Sequence, residues 1–111
     1  MRIGILTDRS LADGHNLPEV VRLLGEWGAT VKLLHLGDDL TNGARVRPEY
    51  DLYVLKSRSD LAMSVAADLH DAGAALLNPY PVSALLRDRI VTFRVLRTAG
   101  VPVPETFVAS H

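Results

Sequence analysis

The residues best suited to bind a ligand are two cations that follow a short apolar run. Lys56 and Arg58 flank Ser57 directly after the segment LYVL. Ser59 comes next and can cap a following helix. Two cations before a helix N-terminus can hold an anion by their charge and through the free N–H groups of the first turn. The alternative is that both side chains are solvated and pair with Asp60 or Asp51.

A second basic position lies at another predicted helix start. Arg87 and Arg89 flank Asp88, which can cap that helix through its carboxylate. Positive side chains oppose the helix dipole at an N-terminus. We therefore favour a functional role or a carboxylate partner for these arginines over the alternative that they have neither.

The polar stretch after the first apolar run contains Asp8, Ser10 and His15. Their residue types match a hydrolytic set, but no nucleophile elbow surrounds the serine. A capped turn explains them better than a catalytic triad. No pair of histidines is spaced four residues apart on a helix, and cysteine is absent, which argues against a zinc site.

Several nucleotide motifs are missing. A dinucleotide site needs three spaced glycines after the first strand, whereas Gly14 stands alone there. The phosphate loop of P-loop nucleotidases is also absent. A response-regulator receiver would need an aspartate at the end of the third strand, where Lys56 and Ser57 stand instead.

The elements that position these residues alternate between strands and helices. Short apolar runs predict strands at residues 2–7, 30–36, 52–55 and 75–77, with a further strand at 105–109. Residues 37–51 predict a loop containing one short edge strand at most. Helices are predicted with Pro18 in the first turn, after Ser59 or Asp60, over residues 82–86 and after Asp88. Their expected inward faces are Val20, Leu24 and Trp27; Leu61, Val65, Leu69 and Ala72; and Val91, Val95, Leu96 and Ala99.

Three of these helices end at a glycine that leads into an extended segment, at Gly28, Gly73 and Gly100. This repeated order of helix, glycine and extended segment is typical of a layered α/β fold. We therefore expect a Rossmann-like parallel sheet of about four strands with helices on both faces. Ligands of such sheets bind at the carboxyl ends of the strands. That edge includes residues 8–15, with Asp8 and Ser10, and residues 56–58.

Composition sets the broad class. The chain has 111 residues, a formal net charge of −1, 48% hydrophobic and 23% charged residues. The balanced charge predicts no nucleic-acid partner, and no apolar run is long enough to span a membrane. The apolar run begins at the second residue, so we expect no signal peptide and a cytoplasmic location.

The final third of the sequence resembles a known family. Asn78-Pro79, then Asp88-Arg89, then the phrase Gly-Val-Pro-Val-Pro-Glu-Thr at residues 100–106 follow in order. This order resembles the junction between the N-terminal domain and the ATP-binding part of ATP-grasp enzymes. The nearest branches are the RimK-like and glutathione-synthetase-like ligases and the inositol polyphosphate kinases. Residues 1–104 then correspond to the pre-ATP-grasp domain, and residues 105–111 to the first strand of an ATP-binding domain that is absent here.

The resemblance implies a function for the parent protein. It implies an ATP-dependent carboxylate–amine ligase that uses ATP and magnesium and proceeds through an acyl phosphate. Arg89 matches the family's basic residue that contacts the nucleotide phosphates, a position where most members have lysine. Lys56, Arg58, Asp8 and Ser10 are the expected substrate-binding residues, for a small-molecule or peptide carboxylate or amine.

By itself the chain lacks the family's phosphate loop and magnesium ligands. We therefore expect it to have no catalytic residue, to bind no cofactor alone and to be inactive. We also expect that it can form homo-oligomers. The alternatives are part of a kinase acting on a polyol phosphate and a stand-alone Rossmann-like binding or interaction module.

Overall fold

The computed structural model describes residues 1–8, 16–36, 48–105 and 107. Its elements, in chain order, are β1 (Arg2–Thr7), α1 (Leu17–Glu26), β2 (Thr30–His35), β3 (Leu52–Leu55), α2 (Asp60–Asp71), β4 (Leu76–Leu77), α3 (Tyr80–Leu86) and α4 (Arg89–Thr98). The chain divides into two compact units, Met1–Tyr80 and Pro81–His111. The first unit contains the sheet with α1 and α2, and the second contains α4 and all of α3 beyond its first residue.

The four strands form one parallel sheet in the order β2-β1-β3-β4. In the central strand β1, every residue from Ile3 to Thr7 is buried. Successive side chains of a strand point to opposite faces, so both faces of β1 are covered. The right-handed rule for parallel crossovers assigns α1 and α2 to opposite faces, because their connections run in opposite directions from the sheet centre. The predicted Rossmann-like α/β sheet is confirmed.

The core of the first unit lies between the central strands and α2. Its buried apolar residues are Ile3, Ile5, Leu6, Leu34, Tyr53, Leu55, Ala62, Met63, Val65, Ala66 and Leu69. The small residues Ala62 and Ala66 are fully buried and lie four positions apart on α2. Residues with this spacing share one helix face, and their small size lets that face approach its neighbours closely.

The three glycine helix ends predicted from the sequence are confirmed, and they share one geometry. Gly28, Gly73 and Gly100 have φ of 94°, 84° and 79°. In each case the glycine N–H and the next N–H donate to carbonyls of the last helical turn, as from Gly73 to His70 at 3.0 Å and from Ala74 to Leu69 at 2.9 Å. This is the Schellman arrangement, in which a positive φ favours glycine.

The inward faces predicted for the helices are partly wrong. Trp27 is 77% exposed because α1 ends at Glu26, so its ring lies beyond the helical stripe. Val20 is also exposed, and the half-buried side of α1 includes Leu17, Val21 and Leu24. Apolar residues on the exposed side of a helix are common, because polar residues alone cannot cover a small domain.

The faces of α2 and α4 are rotated from the prediction. On α2, Val65 and Leu69 are buried as expected, but Leu61 and Ala72 are exposed. The buried stripe runs instead through residues 62, 63, 65, 66 and 69. On α4, Val91 and Leu96 are half-buried as expected, whereas Val95 and Ala99 are exposed, and Thr92 and Phe93 take their place. Alanine and threonine on these helices contribute to the inner face, which an apolar stripe drawn through the larger residues misses.

Smaller differences concern element ends. The second strand stops at His35 instead of residue 36, the fourth begins at Leu76, and α3 begins at Tyr80 instead of residue 82. Of the strand predicted at residues 105–109, Glu105 and Phe107 are not in a strand, and the other three residues lie outside the described ones. The edge strand allowed within residues 37–51 falls mostly outside the described residues.

Candidate functional site

The carboxyl ends of β1 and β3 lie side by side in the first unit. Leu6 pairs with Leu55 in the parallel register, and the Lys56 N–H donates to the Leu6 carbonyl at 2.9 Å. From β1 the chain goes to β2 on one side, and β3 lies on the other side. This is a topological switch point, the place at which open α/β sheets bind their ligands.

Two serines fix the short connection from β3 to α2. The Ser57 hydroxyl accepts from the Ser59 N–H at 3.2 Å, and the two hydroxyl oxygens are also 3.2 Å apart. The Ser59 hydroxyl accepts from the Ala62 N–H at 3.1 Å and caps α2, as the sequence predicted. Capping and the local turn hold residues 56–59 against the sheet edge. Lys56 and Arg58 are therefore presented at the switch point by an ordered connection.

Lys56 and Arg58 are both exposed. Neither side chain forms a hydrogen bond or ion pair with the residues that the structure describes. Asp51 directly precedes β3 at the opposite edge of the sheet, where its Oδ2 accepts from the Arg2 N–H at 2.7 Å. Within the described part of the chain, no carboxylate neutralises these two cations.

The opposite side of the switch point is formed by the end of β1. Asp8 follows this strand directly and is exposed. Ser10 and His15 lie outside the described residues. The structure thus places one predicted carboxylate, Asp8, and two predicted cations, Lys56 and Arg58, at the ends of two neighbouring strands.

Two residues at this edge were not singled out from the sequence. Thr7 is 2% exposed at the end of β1 and pairs in register with His35, the half-buried last residue of β2. A polar residue that closes an otherwise apolar central strand is the signal that could have identified Thr7. In a strand buried on both faces, a polar residue at the carboxyl end lies at the ligand-binding edge of the sheet.

Arg89 belongs to the second unit, at the first turn of α4. The Asp88 carboxylate caps this helix by accepting from the N–H groups of Ile90 at 3.0 Å and Val91 at 3.2 Å. The Thr92 hydroxyl donates to the Asp88 carbonyl at 2.8 Å. Arg89 is exposed and has no side-chain partner among the described residues. The cap fixes the backbone from which the guanidinium extends.

The remaining positions of the family resemblance are backbone features. The Leu77–Asn78 peptide bond is cis, and Pro79 leads into α3. Residues 101–105 follow the glycine end of α4 without helix or strand. Prolines 102 and 104 restrict the residues before them to extended conformations. This segment is suited to leading the chain away from α4.

Neither a metal centre nor a membrane span is found within the described ranges. No group of three histidine, aspartate or glutamate side chains there is arranged to hold a metal ion. The longest described helix, α2, has 12 residues, and no helix in this part of the chain is long and apolar enough to cross a bilayer.

Comparisons with known proteins give one kind of match. No family model and no curated protein matches the chain. Among solved structures, the crystal structure of a RimK-domain ATP-grasp protein from Sphaerobacter thermophilus matches with a TM-score of 0.70 and 20% identity. The match covers 95% of this chain and 40% of that one, so the chain spans less than half the length of this neighbour. The resemblance inferred from the sequence is thereby confirmed at the level of the fold.

Proposed function

We propose that this chain is the N-terminal domain of an ATP-grasp enzyme that joins a carboxylate to an amine. The observation that carries the proposal is the agreement between the family's residue order at positions 78–106 and the fold. That order was identified in the sequence alone, and the structure match to a RimK-domain ATP-grasp protein spans 95% of the chain. Either observation alone would be weak, because one fold serves many functions.

The proposed reaction has two steps. A carboxylate oxygen of the first substrate attacks the γ-phosphorus of ATP, the bond to the β,γ-bridging oxygen breaks, and ADP leaves. The amine nitrogen of the second substrate then attacks the carbonyl carbon of the acyl phosphate. Phosphate departs with one former carboxylate oxygen, and the nitrogen loses a proton as the amide forms. Positioned cations account for most of the catalysis of phosphoryl transfer.

Within this reaction the described residues bind substrates. Lys56 and Arg58 hold an anionic group of the acceptor at the switch point, and Asp8 binds a hydrogen-bond donor or ammonium group across from them. Ser10, predicted for the same site, extends this proposal beyond the described residues. Arg89 contacts a nucleotide phosphate, for which a guanidinium fork is well matched in geometry.

The described part of this chain does not fit a magnesium ion, because its aspartate, glutamate and histidine side chains form no group of three that could hold one. Hard cations such as Mg²⁺ are held by carboxylates together with substrate phosphates. The proposal therefore assigns no magnesium ligand to these residues. The metal-binding carboxylates belong to the ATP-binding part that the resemblance predicts after residue 104.

The test uses the protein expressed from the complete reading frame that contains residues 1–111. With ATP, magnesium and panels of carboxylates and amines, we expect ADP release that requires both a carboxylate and an amine. A substrate labelled with ¹⁸O in its carboxylate should transfer one label to the released phosphate. A protein that neither binds nor hydrolyses ATP overturns the proposal in favour of a binding or interaction module.

The same assay separates the ligase from a kinase. A kinase acting on a polyol phosphate would transfer the phosphoryl group to a hydroxyl and release no inorganic phosphate. Stable phosphorylation of a polyol without amine dependence would therefore overturn the ligase assignment while retaining the ATP-grasp relationship. We favour the ligase because RimK-like ligases are one of the branches that the sequence resembles, and the structural neighbour is a RimK-domain protein.

A further inference from the structure

Charge is distributed unevenly between the two units. Residues 81–111 contain four arginines against Asp88 and Glu105, so their formal net charge is +2. Residues 1–80 contain eight cationic and eleven acidic residues, so their net charge is −3. The chain is thus nearly neutral overall, but its two units carry net charges of opposite sign.

The positive charge of the second unit is concentrated on one side of α4. Ile90, Arg94 and Arg97 follow one another at i, i+4 and i+7, so they share a face of the helix. All three are exposed, and Ile90 is 57% exposed. Arg89 lies elsewhere, because its own i+4 and i+7 neighbours are the half-buried Phe93 and Leu96. The proposed nucleotide contact therefore leaves the Arg94 and Arg97 side unused.

The exposed side of α2 carries the opposite charge and also includes an apolar residue. Leu61, Asp68 and Asp71 are spaced at i, i+7 and i+10 and are all exposed. This helix contains no lysine or arginine. The side chains of Asp68, Asp71, Arg94 and Arg97 have no hydrogen-bond or ion-pair partner in the part of the chain that the structure describes.

We propose that the face of α4 formed by Ile90, Arg94 and Arg97 docks on the face of α2 formed by Leu61, Asp68 and Asp71 in a second copy of the chain. In both helices an exposed apolar residue stands seven positions before a charged one, Leu61 before Asp68 and Ile90 before Arg97. In both, the two charges are three residues apart, about 4.5 Å along the axis. When Leu61 lies opposite Ile90, Asp68 lies opposite Arg97, so one apolar contact and one ion pair can form together. Arg94 and Asp71 then lie one turn to either side of that ion pair and add opposite charges to it.

The association is expected to be weak and to depend on salt. Exposed ion pairs contribute little individually, and one pair of helix faces buries less than a standard interface. The contact joins different surfaces of the two copies, so it is heterologous, or it occurs twice if a two-fold axis relates them. This inference does not depend on the ligase assignment.

The test is sedimentation equilibrium of the 111-residue chain across a wide concentration range. We expect association at about 50 mM salt that weakens about tenfold at about 500 mM, because the screening length falls from about 14 to 4 Å. Arg97→Glu should weaken association about tenfold, whereas Lys32→Glu, an exposed cation on β2 with the same change in charge, should leave it intact.

A charge-swap experiment identifies the partner face. R94E/R97E and D68R/D71R should each be monomeric, and their mixture should associate, because reversed charges then face each other. Arg97→Ala and Asp68→Asn provide milder variants, and circular dichroism checks their folding. A chain that stays monomeric at low salt overturns the proposal, as does equal weakening by Lys32→Glu. Failure of the mixture to associate likewise rules out α2 as the partner face.

Discussion

The Tyr50 ring lies directly over Gly4 in the central strand. A Cβ atom added to Gly4 would stand 3.1 Å from Cδ2 of Tyr50 and 3.0 Å from Cδ1 of Leu34. The ring is also held from other sides. The Arg2 guanidinium lies 5.0 Å from its centroid, and Tyr53 packs against it edge-on at 5.4 Å. The absence of a side chain at residue 4 therefore lets the segment before β3 pack on β1.

Gly4→Ala should destabilise the fold through this contact. The new methyl group would press on a ring that its neighbours hold in place, and overpacking a well-filled core costs about 1–3 kcal/mol. Urea denaturation should show the loss as a lower midpoint. The matched control is Gly25→Ala on α1, where an added Cβ meets nothing within 4 Å and should stabilise the helix by about 0.5–1 kcal/mol. Equal effects at both positions would contradict the packing explanation.

Gly73→Ala tests the effect of backbone conformation separately from that of steric crowding. An added Cβ at this helix end meets nothing within 4 Å, but the φ of 84° is unfavourable for alanine. We expect a loss of about 1–2 kcal/mol in the free energy of unfolding. Gly73→Asn should lose less, because asparagine tolerates this conformation better. A neutral alanine variant would show that the helix end can rearrange.

These glycines also show why the sequence was informative about the element ends. Gly28, Gly73 and Gly100 each follow a helical run and precede an extended one, and a helix C-terminus has a strong local preference for glycine. The strands Arg2–Thr7 and Leu52–Leu55 were predicted with the observed bounds, because a central parallel strand is apolar throughout. The inner faces of the helices were less predictable, since Ala62 and Ala66 are buried by tertiary packing that no periodicity records.

The position of the candidate site in the fold was predicted, but some of the residues and contacts that form it were not. The strand order follows from topology rules, so the edge at which Asp8, Lys56 and Arg58 lie could be deduced from the sequence. Thr7 was missed, although its place at the end of an apolar strand is a signal in the sequence. Its burial depends on the strands and helices packed around β1, which the sequence does not show. Likewise, the hydrogen bonds of Ser57 to Ser59 depend on a turn geometry that residue types alone do not specify.

The acid dependence of stability should include a contribution from α1. A hydrogen bond from Arg22 holds the pKa of the Glu19 carboxyl below its ordinary value of 4.5. A carboxyl whose pKa is lower in the folded state stabilises the fold above its unfolded-state value, and the effect fades as the pH falls through the folded-state pKa. Glu19→Gln should therefore reduce stability slightly at neutral pH and have no effect in strong acid.

The size of this effect is expected to be small, because both side chains are exposed and Arg22 also pairs with Glu26 at 2.5 Å. Thermal denaturation of the two proteins across the acidic range, repeated in high salt, measures it. A difference between them that grows toward low pH would contradict the assigned sign.

The cap of α4 should be a separable source of stability in the second unit. The Asp88 carboxylate accepts from two backbone N–H groups, so Asp88→Ala leaves both without that partner. We expect a loss of about 0.5–2 kcal/mol, with Asp88→Asn retaining most of the stability. Hydrogen exchange at Ile90 and Val91 gives the local readout. Unchanged protection of both amides in the alanine variant would show that the cap is dispensable.

The proposed nucleotide contact predicts a different result for the residue next to this cap. In the protein from the complete reading frame, Arg89→Ala removes a charge-assisted contact to phosphate, worth about 1.5–3 kcal/mol. The affinity for a nucleotide analogue, measured by calorimetry, should fall about tenfold to a hundredfold. Arg89→Lys should recover much of it, because lysine occupies this position in most members of the family that the chain resembles.

Two controls separate this role from a general effect of charge. Arg97→Ala removes a guanidinium that lies two turns away on the same helix and should leave nucleotide affinity unchanged. Lys56→Ala and Arg58→Ala should weaken binding of the acceptor substrate while largely preserving that of the nucleotide, because they lie at the switch point of the sheet. If Arg89→Ala binds the analogue as well as the parent does, Arg89 is a surface arginine and the nucleotide contact belongs to another residue.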